Sequence, residues 1–282
     1  MKRALYLLIA GTVLSGVFAY AASGQTPLEM KLWRLDCGAA QVNDLNVFSD
    51  TRAFTGKKMR LASSCYLIKH GNTYMLWDTG LSAALKGVPV SDTAPLSATL
   101  STTIVDQLAR INVKPEAISI IGISHYHFDH TGQAGAFPQA KLLIGKGDHE
   151  SLSASPPLNG ADPTPLKRWF GGGGTSEAVV GDKDVFGDGS VTMIDLPGHT
   201  PGHHALLVKM PKTGLVLLSG DQFHFHENQA LNGVPGFNYS RSQTLASSDR
   251  FNKLAANTKA TVIIQHDPRD IAKLPAFPVA AE

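Results

Sequence analysis

Between Ser124 and Gly132 the chain reads Ser-His-Tyr-His-Phe-Asp-His-Thr-Gly, which gathers four metal-binding side chains, His125, His127, Asp129 and His130, into one short segment. The segment follows AISIIGIS, an apolar, β-branched run that predicts a buried strand. Extended backbone beyond that strand would send His125 and His127 to one side, and a turn after them would let Asp129 and His130 face a second centre. Imidazole and carboxylate are the donors divalent ions prefer. Core packing gives no reason to concentrate them at the end of a strand, so the fold must bring further donors to this point.

Those donors are found at the ends of other apolar runs. His199 lies in the glycine-rich turn PGHTPGH, Asp221 follows GLVLLSG, and His266 follows ATVIIQ. An internal similarity relates them. SCYLIKHGNTYMLWDTG reads as two strands around a turn that end in Asp78, and HHALLVKMPKTGLVLLSGD repeats that arrangement, ending in Asp221. Each is followed by a helical stretch and then a strand that runs into a histidine, His125 or His266. Two related halves that each deliver an Asp and a His predict a pseudo-twofold sandwich with its site at the seam. His203 and His204 read as turn and strand residues.

The coarse pattern predicts strands near 30–36, 64–70, 73–77, 118–123, 140–144, 191–195, 204–209, 214–219 and 261–265. It predicts helices near 99–112 and 242–257. Residues 153–190, with Pro156, Pro157, Pro163, Pro165 and the run Gly171 to Gly174, read as an irregular excursion. Residues 1–22 read as an export signal: Lys2 and Arg3, an apolar run, then Ala19-Tyr20-Ala21 as a small-x-small cleavage pattern. A retained membrane anchor is the alternative reading. A single domain over 23–282 and a periplasmic or secreted location follow from the signal reading, with no stable membrane insertion of the mature chain. Without Lys2 and Arg3 the 25 basic residues come down to match the 23 acidic ones, which argues against a nucleic-acid partner. Export would permit a disulfide between Cys37 and Cys65; two buried thiols on neighbouring strands fit the sequence equally well. A homodimer stays open.

HYHFDH, GHTPGH, SGD and the strand-terminal QHD, taken in this order over about residues 64–267, resemble the motif series of the metallo-β-lactamase superfamily. The resemblance implies an α/β fold, the metallo-β-lactamase αβ/βα four-layer sandwich, holding two divalent metal ions. It implies that His125, His127 and His199 bind one ion, that Asp129, His130 and His266 bind the other, and that Asp221 bridges them, with Asp78 supporting the ligand loop. The N/O donor set favours zinc and also fits iron, cobalt or manganese. Two cations at such a site acidify a shared water and polarise a carbonyl, while Asp129 can take up a proton and return it to the leaving oxygen.

The fold hosts many reactions, so the substrate has to be argued from the site. The aspartate at position 221 counts against the β-lactamases of the superfamily, and export counts against its intracellular glutathione thioesterases. Exported phosphotriesterases of the methyl parathion hydrolase kind share the ligands, and non-hydrolytic iron or redox proteins share the fold. The segment QFHFHEN after Asp221, Phe237-Asn238, SQTLASSDRFNKL and IIQHDP are most similar to the N-acyl homoserine lactonase family. Its best-known members carry a tyrosine three residues after the bridging aspartate, where this chain has His224; an imidazole can hold a lactone carbonyl or leaving oxygen in its place. The resemblance therefore implies opening of N-acyl homoserine lactones, a quorum-quenching reaction. An acyl chain calls for an apolar slot beside the metals, for which Phe48, Phe54, Met59, Leu61, Phe223 and Phe225 are the candidates.

Overall fold

The computed structural model describes Met1 and residues 28–282; the export segment read at residues 1–22 otherwise lies outside the described residues. Twelve strands are present among them: β1 (Met30–Val42), β2 (Met59–His70), β3 (Thr73–Trp77), β4 (Leu96–Thr99), β5 (Ile118–Ile123), β6 (Lys141–Gly145), β7 (Ser176–Val179), β8 (Lys183–Asp184), β9 (Val191–Asp195), β10 (His204–Met210), β11 (Gly214–Leu218) and β12 (Thr261–Ile263). The helices are α1 (Ile104–Arg110), α2 (Phe128–Thr131), α3 (Lys146–Ser153), α4 (Lys167–Phe170), α5 (His226–Ala230) and α6 (Arg241–Thr258). The strands form a seven-stranded sheet ordered β4-β1-β2-β3-β5-β6-β7 and a five-stranded sheet ordered β12-β11-β10-β9-β8.

Alternation along the strands decides what each face buries. On β2 and β3, Tyr66, Ile68, Met75 and Trp77 point inward and meet Val191, Met193, Leu206, Val208, Val216 and Leu218 of the second sheet. Their neighbours Leu67 and Leu76 point the other way, onto Ile104 and Leu108 of α1. On the far side Ile194, Ala205 and Leu217 pack on Phe251 of α6. Helices outside, two sheets inside, is the four-layer αβ/βα arrangement expected from the motifs.

The internal similarity is a real repeat of topology. The hairpin β2–β3 is antiparallel, and β5 returns parallel to β3; the hairpin β10–β11 is antiparallel, and β12 returns parallel to β11. A parallel return needs a crossover, which is why a helix lies between hairpin and strand in each half: α1 in the first and α6 in the second.

Some elements differ from expectation. β1 and β2 run longer than the apolar runs suggest, because a register shift between Asp36 and Ala39 lets the pairing resume. Gly38 at that bulge has φ +113, and a Cβ there would lie 2.7 Å from the Thr99 carbonyl oxygen of β4. The helix predicted from 99 begins at Ile104. Leu96 to Thr99 is committed to β1 instead, and Thr103 exchanges hydrogen bonds with Asp106 in a capping box. Within the 153–190 excursion, Ser176–Val179 adds a parallel edge strand beside β6.

Cys37 and Cys65 form a disulfide across β1 and β2, with a sequence separation of 28. On chain-entropy grounds a loop of that size contributes about 3.5 kcal/mol. Cys37→Ser is therefore expected to lower the urea midpoint and, because the unfolded chain is released to expand, to steepen the denaturant slope; an unshifted midpoint would show that the bond adds nothing to stability.

Candidate metal centre

All seven predicted donors converge at the seam between the sheets. Atoms of His125, His127, His199 and Asp221 lie within 4.8 Å of one another, and those of Asp129, His130 and His266 do likewise. In the first group His127 Nδ1 is 3.0 Å from His125 Nε2, while His199 Nε2 is 3.1 Å from His125 Nε2 and 3.0 Å from His127 Nδ1. In the second, His130 Nε2 is 3.2 Å from His266 Nε2. Asp221 lies between them. Its Oδ2 is 3.3 Å from His199 Nε2 and its Oδ1 is 3.0 Å from His266 Nε2 and 3.1 Å from His130 Nε2.

The outer edges of the rings fix their tautomers. His199 Nδ1–H donates to Asn238 Oδ1 at 2.9 Å, His266 Nδ1–H to the Ala62 carbonyl at 2.6 Å, and His130 Nδ1–H to Asp78 Oδ2 at 2.9 Å. Each of these three then turns an Nε2 lone pair inward. Lone pairs about 3 Å apart repel, and their spacing is close to the edge of a tetrahedron with metal–nitrogen bonds of about 2.0–2.1 Å. Asp221 Oδ1, a buried oxygen with no hydrogen-bond donor, adds an anionic acceptor at the same place. The residues fit two divalent cations.

Electrostatics agree with that chemistry. Burial lowers His125 and His127 well below the usual imidazole range, which keeps them neutral as ligands must be. Burial works the same way on His130 and His266, but Asp221 beside them outweighs it, holding His130 well above the ordinary value and His266 at about 9. Burial would raise Asp221, yet His266, His130 and His125 around it hold the carboxylate well below its ordinary range. Without a cation, Asp221 thus favours a proton on the inner nitrogens of His130 and His266, which a metal ion would have to displace.

Asp78 does more than end a strand. It takes a left-handed backbone, φ +59, and accepts the Ser124 N–H at 2.7 Å, His130 Nδ1–H at 2.9 Å and Gln265 Nε2–H at 3.0 Å. An aspartate in that conformation is strained by about 1–3 kcal/mol, and three donors hold it there. Gln265 Oε1 in turn accepts from Trp77 Nε1–H and the Gly220 N–H, so one amide ties Asp78 of the first half to the Asp221 loop of the second.

His224 is buried at the same centre. Its Nε2 lies 3.1 Å from Asp221 Oδ2, Nδ1 has no partner, and burial lowers its pKa to about 4. Burial therefore favours the neutral imidazole. A cavity of about 350 Å³ opens onto His127, Asp129, Asp221, His224 and His266, and Val47, Phe48, Leu61, Leu96 and Phe237 form its apolar wall.

Of the aromatic candidates for that wall, only Phe48 lies on it. Phe223 is wholly buried against Phe251, 5.6 Å between ring centres, under the second sheet. Phe54 packs edge-on against Phe225 at 5.0 Å, behind Phe48. Both are apolar residues near the motifs, and core packing uses them first. Phe237, quoted in the sequence only as part of a motif, is on the wall. Asn238 and His203 are functional contacts that sequence reasoning did not assign. His203 Nδ1–H donates to the Leu196 carbonyl at 3.0 Å, and its Nε2 accepts the Asp221 N–H at 2.9 Å, so it seats the bridging residue. The repeated His in GHTPGH was the available signal.

A family model of the metallo-beta-lactamase superfamily matches residues 59–266, and the chain belongs to that superfamily. Within it, the chain is similar to the N-acyl homoserine lactonase AttM of Azorhizobium caulinodans, 32% identical over 179 residues that span 58% of this chain and 64% of that enzyme. An N-acyl homoserine lactonase of Bacillus sp. is 28% identical over 255 residues, 88% of this chain and 97% of its own. Among solved structures, a quorum-quenching N-acyl homoserine lactone lactonase superposes with a TM-score of 0.74 at 25% identity, covering 89% of this chain and 98% of that one.

Proposed function

We propose that the chain is an exported, dinuclear metal-dependent hydrolase that opens the ring of N-acyl homoserine lactones. The observation that carries this reading is the cavity, whose floor is the donor cluster and whose wall is apolar. A small polar ring with an acyl tail has that same division of character. The similarity to lactonases along most of the chain supports it.

Bound divalent cations, zinc first among those the donors suit, supply an acidified water and a Lewis acid for the carbonyl. The chain's own residues do the rest. Asp129, a half-buried donor, borders the cavity and is placed to pass a proton to the departing alkoxide. His224 presents a neutral ring beside Asp221, where an N–H can hold the lactone carbonyl or leaving oxygen. Phe48 and Phe237, 5.6 Å apart edge to face, grip the tail.

Wild-type enzyme is expected to release one proton per homoserine lactone opened, followed in a pH-stat, with the product reclosing on acidification. Efficient hydrolysis of a β-lactam or an organophosphate with lactones left untouched would overturn the substrate reading. Phe237→Ala is expected to raise KM for a decanoyl substrate roughly tenfold, about 1.4 kcal/mol of lost apolar contact. The same change should leave a butanoyl substrate within about twofold; equal shifts for both would remove the tail from this wall.

Export fits the leader-like residues 1–22 and the disulfide. Among the described residues no helix is long and apolar enough to cross a membrane. Intact mass is expected to show the chain starting near Ala22, whereas a mature protein that keeps Met1 would favour a retained anchor.

A further inference from the structure

One wholly buried carboxylate near the centre has no part in the chemistry above. Asp148, on α3, accepts the Gly202 N–H on Oδ1 at 2.7 Å; its Oδ2 accepts the Thr200 hydroxyl at 2.8 Å and the Tyr126 N–H at 3.2 Å. Tyr126 lies between ligands His125 and His127, and Thr200 directly follows ligand His199. The three donors therefore come from two separate ligand-bearing segments, one in each half of the molecule. Burial pushes the acid up to about 7, and the groups that pull it back are these same three donors, with no cation among them.

Backbone packing brings the carboxylate there. A Cβ on Gly145 would come 1.9 Å from the Gly202 carbonyl oxygen, and one on Gly202 would come 2.4 Å from the Asp148 nitrogen. The start of α3 and the TPG turn thus lie main chain against main chain, a contact only glycine allows. The His204 N–H also donates to the Ser124 carbonyl at 2.8 Å, stitching the same two segments a few residues away.

We infer that Asp148 is a positioning residue for the first metal site: its carboxylate locks the His125–His127 segment to the His199 turn, so that three imidazoles converge before an ion arrives. The second site, Asp129, His130 and His266, is supported by Asp78 and the Ala62 carbonyl instead. Loss of Asp148 should therefore weaken one site and spare the other. Asp148→Asn keeps the shape but turns an NH2 toward a donor, leaving at least one buried N–H or O–H unpaired. Outer partners of this kind are worth about 10–100-fold in metal affinity.

This inference rests on the metal-centre reading and is independent of the substrate. The test is a chelator-competition titration of the full mature chain with Co2+, reading both stoichiometry and the visible d–d bands. Wild type should take up two ions. Asp148→Asn should keep one at wild-type affinity and bind the other about 10–100-fold more weakly, with loss of the bands belonging to the three-histidine site. Thr200→Val, which removes one donor at nearly constant volume, should act in the same direction to a smaller extent, and it carries the test if Asp148→Asn does not fold. Leu108→Ala, a core truncation under α1, should keep both sites. Two unaltered sites in Asp148→Asn, or in Thr200→Val where Asp148→Asn does not fold, or equal weakening of both sites, would overturn the assignment. Absence of metal binding in wild type would instead remove the metal-centre reading on which it stands.

Discussion

Asp221→Ala is expected to lower kcat/KM by roughly 10³ or more and to take the metal content from two ions per chain to about one. The lost carboxylate has one oxygen beside His199 and the other beside His130 and His266. Its removal thus strips an anionic ligand from both sites at once, a larger change than deleting a single oxyanion donor, which alone costs about 10²–10³. His226→Ala is the matched control. That imidazole is two-fifths exposed and donates to Asp270 at 2.7 Å, away from the ligand atoms, so its loss should stay within about fivefold. Metal analysis and steady-state kinetics on the two variants decide the matter; equal losses would mean that position 221 does not bridge.

His224→Ala is expected to lower kcat by roughly 10², the scale of one transition-state hydrogen-bond donor, while both ions stay bound. His224→Tyr should be milder, since a phenol also presents a donor from a planar ring. The second readout is decisive. His224 Nε2 faces Asp221 Oδ2 at 3.1 Å, so a variant that lost metal along with activity would show the imidazole to be a support for the bridging carboxylate rather than a partner of the substrate.

The metal ligands were legible because each follows an apolar strand, and strand ends are where a sandwich delivers polar side chains to its rim. HYHFDH needed no tertiary information. Asp221 and His266 were marked by the parallel between the halves, which the topology repeats, and His199 by its glycine-rich turn, with the motif resemblance supplying their roles. The supporting groups were not legible, for a physical reason: the contacts through which Asp148, Gln265 and Asn238 act reach residues from 22 to 188 positions away, and nothing local marks an ordinary polar residue as such a partner. The apolar wall was legible only as composition. Phe48 and Phe223 look alike in sequence, and only the packing of α6 over the second sheet sends Phe223 to the core and leaves Phe48 facing the cavity. The edge strand Ser176–Val179 was hidden by its short, mixed composition and the glycines before it, since pairing with β6 outweighs its weak intrinsic preference.

Neither half of this sandwich holds a complete set of ligands. One ion would draw His125 and His127 from one side of the seam and His199 and Asp221 from the other; its neighbour would draw Asp129 and His130 from one side and His266 from the other. Each bound cation would thus be a rivet through both sheets, and a chain that came apart at the seam would forfeit both. A ligand that binds only the folded form at 100 times its dissociation constant adds about 2.7 kcal/mol, so the stability of the folded chain is expected to rise with the free metal concentration around it. If the chain is exported as proposed, its durability would become a property borrowed from the surrounding medium, high where divalent ions are plentiful and low where they are scarce.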